Sequence, residues 1–419
     1  MNRPFERVAV IGLGYIGLPT AAVLAGTGID VVGVDINSDT VDTINRGEIH
    51  IVEPALDALV REAVKAGRLR AATIPELADA FVIAVPTPFK GQHEPDLSYV
   101  EAAARAVAPY LKKGDLIILE STCPVGTTEK LTQWLSDARP DLGFPTEHSI
   151  DADINVAYCP ERVLPGKVLA ELVSNDRVIG GITPQCSTRA RSLYMHFVKG
   201  ECIISNARTA EMCKLTENSF RDVNIAFANE LSLICDKLGI NVWELIRLAN
   251  HHPRVNILNP GPGVGGHCIA VDPWFIVDSA PDAAHLIRTA REVNDSKPEW
   301  VLSKISDAVT QCRRDKEEVV VACLGLAFKA NIDDLRESPS LHIVEKLVTA
   351  PLADKLLVVE PFIEQLPAQL AHKSVLVSLE EAVEQADIVV LLVDHDLFKS
   401  LDRSALQGKK LIDTRGIWR

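Results

Sequence analysis

No stretch of this 419-residue sequence holds the roughly 20 apolar residues in a row that a helix needs to cross a bilayer. Its longest candidates are short, strand-like runs such as residues 319–328, so a membrane span is not expected. Positive charge is scarce too: 43 Lys and Arg stand against 57 Asp and Glu, a formal net charge of −14. Nucleic acid or an anionic membrane surface would be repelled by that field, so neither is an expected partner, and any anionic ligand must be held by local Arg and Lys. The nine cysteines are odd in number and include no C-x-x-C pair, which argues against a disulfide framework or a zinc site in so long a chain. No metal-ligand spacing is visible, and no metal is expected. Residues 1–6 lead straight into an apolar strand and a glycine loop, with no room for a removable signal peptide, and the cytoplasm is the expected compartment.

Apolar residues are plentiful, at 47%, and the length exceeds what one core serves, so two or three domains follow. Apolar strands at residues 8–11, 31–34, 81–85 and 116–119, with a helix at about 16–26, predict a parallel sheet with crossover helices. From residue 206 to about 250, Gly and Pro almost vanish while Ala, Leu, Glu and Asn dominate, which predicts long helices. After a polar stretch at 313–318, strands return at 319–324, 355–359, 388–393 and 410–412. The fold class is therefore α/β, two Rossmann-like doubly wound domains joined by a central helical domain, with boundaries at 1–203, 204–312 and 313–419. The α/β parts echo each other: Asp79 and Asp387 each precede a strand, and Asp35 and Glu360 each follow the second one. That echo fits duplication or merely shared architecture.

Gly12, Gly14 and Gly17 form G-x-G-x-x-G between a strand and a helix. In such a turn the first glycine permits the tight bend, the second lets backbone amides reach a pyrophosphate, and the third lets helix and strand pack closely. Asp35 ends the second strand about 20 residues on, where a carboxylate binds the ribose diol and repels a 2′-phosphate. The expected cofactor is NAD, contacted by Gly12, Gly14, Tyr15, Ile16, Gly17 and Asp35. Two further strand ends carry small polar residues and prolines, placing Thr87 and Thr122 at the cofactor's border.

Residues 259–268 are Asn-Pro-Gly-Pro-Gly-Val-Gly-Gly-His-Cys. So much glycine brings backbone close to a ligand and puts the Cys268 thiol on a loop rather than in a core. Cys268 is the candidate nucleophile, and His267 the adjacent candidate base. On the central helix, Lys214 and Asn218 share a face, with Glu211 and Arg221 extending the stripe. Such a Lys-Asn face can stabilise an oxyanion, or simply be solvated.

Over the whole chain these segments resemble the UDP-glucose/GDP-mannose dehydrogenase family: Gly12-Leu-Gly-Tyr-Ile-Gly-Leu-Pro, Val85-Pro-Thr-Pro, Ser121-Thr-Cys-Pro-Val-Gly-Thr, Tyr158-Cys-Pro-Glu-Arg, Glu211-Met-Cys-Lys-Leu-Thr-Glu-Asn, Gly265-Gly-His-Cys and Asp333-Asp-Leu-Arg-Glu-Ser-Pro. Glu161-Arg-Val-Leu-Pro-Gly and Val271-Asp-Pro-Trp-Phe are similar to the family's N-acetylmannosamine branch in particular. Val271 stands where many UDP-glucose enzymes have Lys, which weakens a glucose assignment. The resemblance implies NAD-dependent, four-electron oxidation of UDP-N-acetyl-D-mannosamine at C6 to the uronate, through a thiohemiacetal and a thioester on Cys268. It implies that Lys214 and Asn218 stabilise the oxyanion, and that Glu161, with Asp272 and Thr122 ordering a water, assists hydrolysis. It places Arg336 beside the cofactor and Arg162, Lys214, Asn218, Arg254, Gly265 and Lys329 on the substrate, Arg254 from across a subunit interface. A homodimer or higher homo-oligomer is expected, formed through apolar helix faces between residues 220 and 248.

Two other classes compete. The same chemistry on UDP-N-acetylglucosamine or UDP-glucose differs only in pocket contacts. A two-electron hydroxyacid dehydrogenase has no use for Cys268 or a second α/β domain, and a nucleotide-sugar or NAD sensor has no need of the nucleophile. NADH yield separates them: two per substrate, one, or none.

Overall fold

The computed structural model describes residues 5–418 apart from 92, 149, 150, 165, 267 and 351. It divides into two compact units, Met1–Glu217 with Trp274–Pro281, and Asn218–Pro273 with Asp282–Arg419. Among the described residues, no helix is long and apolar enough to cross a membrane.

The first unit is built on strands β1 (Arg7–Ile11), β2 (Asp30–Val34), β3 (Leu69–Ala72), β4 (Ala80–Ile83), β7 (Leu116–Leu119), β8 (Asn155–Tyr158), β9 (Arg177–Gly181) and β10 (Cys202–Asn206), with a small hairpin, β5 (Phe89–Lys90) and β6 (Glu94–Pro95), set apart. The sheet order is β3-β2-β1-β4-β7-β8-β9-β10, parallel except where β8 meets β9. Helices cover both faces, so β4 and β7 are buried throughout, which is why they read as unbroken apolar runs rather than alternating ones. The chain winds away from β1 first toward β2 and then toward β4, which opens a crevice at the carboxyl ends of these strands. Gly12, Asp35, Thr87 and Thr122 all follow strands that end there. The hairpin rests on aromatic contacts, Phe89 against Phe275 and His93 stacked on Trp274 at 4.3 Å.

In the second unit, β11 (Val320–Leu324), β12 (Lys355–Val359), β13 (Val375–Leu376), β14 (Ile388–Leu391) and β15 (Lys410–Asp413) form an all-parallel sheet ordered β13-β12-β11-β14-β15. This repeats the order β3-β2-β1-β4-β7, and the echo extends to hydrogen bonds. Gly12 N donates to Val34 O and Gly325 N to Val359 O, each at 2.8 Å, and both glycines have positive φ, 89° and 97°. Asp79 accepts from Glu6 and Arg7 amides at 2.9 and 3.1 Å, as Asp387 does from Val320 at 2.9 Å. The paired aspartates therefore have one task, to hold the backbone entering the first strand of each sheet.

Helices Ala207–Leu238, Val242–Ala249 and His285–Cys312 supply the central helical region. Phe220, Phe227, Ile234 and Leu238 recur at helical spacing along one stripe and are 46–69% exposed. Phe227→Glu is expected to shift the sedimentation coefficient of the purified protein toward a smaller species, and an unchanged value would remove this stripe as an interface.

Candidate active site

At the crevice of the first sheet, a Cβ on Gly17 would lie 1.8 Å from the Gly12 carbonyl oxygen and one on Gly12 2.7 Å from Ala84 O. Both positions admit glycine alone. A Cβ on Gly14 would meet nothing within 4 Å, so the backbone there borders open space at the start of helix Gly17–Gly26. Ile16 is that helix's N-cap residue, and Tyr15 is 40% exposed at its mouth. Asp35 accepts from Leu13 N at 2.9 Å and from Asn37 N at 3.0 Å, which orients a half-buried carboxylate at the end of β2. Across the crevice, Thr87 Oγ1 donates to Thr122 O at 2.5 Å and Ser121 Oγ to Val85 O at 2.6 Å, so the two strand-end loops are tied together. These residues fit a dinucleotide. Asp35→Asn keeps one acceptor and loses the charge; the KM for NAD is expected to rise about tenfold while NADP turnover becomes measurable, given that a hydrogen bond to a charged group is worth about 1.5–3 kcal/mol. An unchanged NAD/NADP ratio would argue against this role.

The corresponding turn of the second sheet lacks the glycine triplet and is tied to its own strand-end acid. Glu360 is 3% exposed and accepts from Leu326 N and Ala327 N at 2.7 and 3.0 Å, as Asp35 does from Leu13 N in the first turn. His395 completes it: Nε2 faces Glu360 at 3.2 Å while Nδ1 accepts from Asn331 N at 2.9 Å, which assigns the proton to Nε2. Burial works against ionising Glu360, but the hydrogen bonds from His395 and these amides hold its carboxyl below the usual range. The loop fixed in this way carries Lys329, which is exposed.

Glu161 follows β8 and is 5% exposed, with one oxygen accepting from Arg162 N at 2.5 Å and the other 3.3 Å from Arg177 Nη2. Arg162 pairs with Glu217 at 2.6 Å, and Glu53 accepts from Gly166 N and Val168 N, both at 2.8 Å. The loop of this motif is thus pinned at both ends. Lys214 is half-buried, one helical turn before Asn218. Glu211, one turn before Lys214, is engaged elsewhere. It is fully buried and accepts from Gly126 N, Thr128 N and Thr128 Oγ1 at 2.6–2.7 Å, capping helix Thr127–Ala138. Burial pushes its carboxyl up, with those donors opposing.

In the second unit, Cys268 is exposed on its loop. Its carbonyl accepts from Asp272 N at 2.9 Å, and Asp272, 2% exposed, accepts from Asn218 Nδ2 at 2.5 Å. Three predicted residues are thereby joined. Gly265 and Gly266 pass against Phe328, where a Cβ would sit 2.9 and 3.0 Å from the ring side chain, and Gly261 N donates to Asn229 Oδ1 at 2.9 Å. His267 lies outside the described residues. Arg336 makes a two-pronged pair with Asp334 at 2.6 and 2.8 Å, and Arg254 is exposed.

Sequence reading missed Glu120, Arg177 and Tyr194. Glu120 directly follows an apolar strand and Arg177 opens one, the only local signal either gives. Glu120 is 1% exposed and accepts from Tyr194 OH at 2.7 Å; burial pushes its carboxyl up to about 7, with Arg177 opposing. A carboxyl raised from 4.5 keeps its proton in the folded chain after the unfolded chain has lost it. The contribution of this group to stability is therefore fully present below pH 4.5 and is lost as pH rises through about 7, with a maximal slope of about 1.4 kcal/mol per pH unit. In Glu120→Gln the stability profile from urea unfolding should lose that share of its slope between pH 4.5 and 7, and an identical profile would refute the assignment.

Matches to known proteins cover the same ground. Models of the UDP-glucose/GDP-mannose dehydrogenase family match residues 6–198 (NAD binding domain), 208–296 (central domain) and 322–419 (UDP binding domain). The chain is 65% identical over 414 residues to an NDP-N-acetyl-D-galactosaminuronic acid dehydrogenase of Ralstonia nicotianae, covering 99% of this chain and 96% of the relative. It is 62% identical over 419 residues to the UDP-N-acetyl-D-mannosamine dehydrogenase of Escherichia coli K12, covering 99% and 100%. Among solved structures, the UDP-D-ManNAc dehydrogenase of Pyrococcus horikoshii is similar with a TM-score of 0.88 at 41% identity, over 99% of this chain and 96% of that one.

Proposed function

Because the chain belongs to the UDP-glucose/GDP-mannose dehydrogenase family, and is therefore an NAD-dependent UDP-sugar dehydrogenase, we propose that it oxidises C6 of UDP-N-acetyl-D-mannosamine to the carboxylate through a covalent intermediate on Cys268. The observation that carries this reading is the exposed Cys268 thiol on a glycine loop whose backbone is joined through Asp272 to Asn218. NAD supplies the hydride acceptor, one per oxidation. Gly12, Gly14, Tyr15, Ile16, Gly17, Asp35, Thr87, Thr122 and Arg336 would hold it.

An aldehyde carbon cannot release a second hydride until a nucleophile adds to it. Cys268 Sγ forms that bond, and the oxygen that takes the electron pair is met by Lys214 and Asn218. Loss of the second hydride leaves a thioester. Water then adds to its carbonyl carbon while Glu161 takes a proton, the C–S bond breaks, and Cys268 returns as thiolate. Thr122 and Asp272 orient that water, and Arg162, Arg254, Gly265 and Lys329 hold the nucleotide sugar.

The test is NADH formed per mole of limiting sugar nucleotide. Two per UDP-N-acetylmannosamine supports the reading; one would leave an ordinary alcohol dehydrogenase. The relative at 65% identity favours a second substrate, so UDP-N-acetylgalactosamine is run in parallel with the glucose-configured sugars. Activity confined to one of these would keep the chemistry and change the sugar.

A further inference from the structure

A second buried cluster stands behind Glu161. Arg177 lies between two carboxylates, with Nη2 3.3 Å from Glu161 Oε2 and Nη1 3.8 Å from Glu120 Oε1. All three side chains are at most 7% exposed. The guanidinium is flanked by the rings of Tyr194 and Phe197, 4.9 and 5.8 Å from their centroids, and lies 3.9 Å from Cys159 Sγ, so it has no room to swing. Glu120 is held in turn by Tyr194 OH at 2.7 Å and Thr20 Oγ1 at 3.4 Å, the latter on the helix that begins at the dinucleotide turn. Buried ion clusters of this kind commonly stabilise a fold no better than apolar residues of equal volume, so stability alone is a weak reason for this one.

We propose that Arg177 is a positioning residue for thioester hydrolysis: with the Arg162 amide, it clamps both oxygens of Glu161 so that the carboxylate faces the attacking water. The role rests on the reading of Cys268 and Glu161 given above. A guanidinium pairs most strongly with the carboxylate form, the one able to accept a proton from water. One Glu161 oxygen is occupied by a main-chain amide and the other by a fixed guanidinium, so the side chain has one orientation. Glu120, with Tyr194 and Thr20 behind it, anchors the far side of Arg177 and keeps it from following substrate or solvent. The step consumes no oxidant: water adds, Glu161 takes the proton, and the sulfur leaves.

The test uses the full-length enzyme with NAD and UDP-N-acetylmannosamine. Rapid-mixing absorbance measures the first NADH, and acid quench with intact-protein mass spectrometry detects a sugar-nucleotide adduct on Cys268. In Arg177→Gln the first-turnover NADH rate should match wild type while steady-state kcat falls about 100-fold, KM for the sugar nucleotide falls with it because the adduct holds the enzyme, and the adduct accumulates. Arg177→Lys keeps the buried charge and is expected to fold, but one ammonium does not span both carboxylates. It should show about a tenfold fall in kcat and a detectable adduct. Glu161→Gln is the reference. Adduct in Glu161→Gln but in neither Arg177 variant overturns the role of Arg177 alone, as does a parallel fall of first-turnover rate and kcat, which marks a merely structural part. No adduct in Glu161→Gln overturns the hydrolytic reading and this proposal with it.

Discussion

Cys268→Ala should lower steady-state kcat by about 1,000-fold or more, the range seen when a covalent nucleophile is removed from a site whose other members remain. The expectation follows from the order of events. The first hydride leaves from an alcohol and needs no thiol, but the second leaves only from the adduct. NAD affinity, measured by fluorescence titration, should stay within twofold, because the glycine turn, Asp35 and the Thr87–Thr122 tie owe nothing to Cys268. A variant retaining turnover within tenfold of wild type would sink the covalent route. Two NADH per sugar with the thiol absent would sink it as well.

Asp222→Ala is expected to destabilise the second unit by up to about 3–5 kcal/mol, the cost of breaking a buried charge pair, since it leaves Arg291 only the half-exposed Asp295. Asp222 and Arg291 are 0% and 1% exposed and pair at 2.6 Å. Asn294 donates to Asp222 at 2.8 Å, Asn229 to Asn294 at 2.8 Å, and Gly261 to Asn229 at 2.9 Å. This chain of polar contacts ends on the loop that carries Cys268. Loss of Asp222 should therefore lower the urea midpoint and also reduce kcat at temperatures where the variant remains folded. Replacing the pair together, Asp222→Leu with Arg291→Met, should recover most of the stability, since no charge is then stranded. An unfolding free energy within 0.5 kcal/mol of wild type in Asp222→Ala would show that the pair contributes little.

Much of this was legible from residues near each other in the chain. The G-x-G-x-x-G turn, the acid at the end of the second strand and the glycine loop before Cys268 are local signals, because positive φ and close backbone approach select glycine wherever they occur. Strand rhythm gave the sheets, since strands buried on both faces must be apolar throughout. The partners of Glu211 were not legible, for the complementary reason. Helical spacing placed it on the Lys214–Asn218 face, but the Gly126 and Thr128 amides that bury it come from another element, and their presence is invisible to periodicity.

The residues by themselves determined the α/β class, NAD as cofactor and the family, each of which rests on short-range stereochemistry or on several motifs in order. Only the tertiary structure decided that Glu360 meets His395 behind the second turn, that Asn218 meets Asp272, and that Arg177 stands between Glu120 and Glu161. Those pairings join residues 16 to 57 positions apart, and a buried charge is tolerated only where folding brings it a partner that no local pattern specifies.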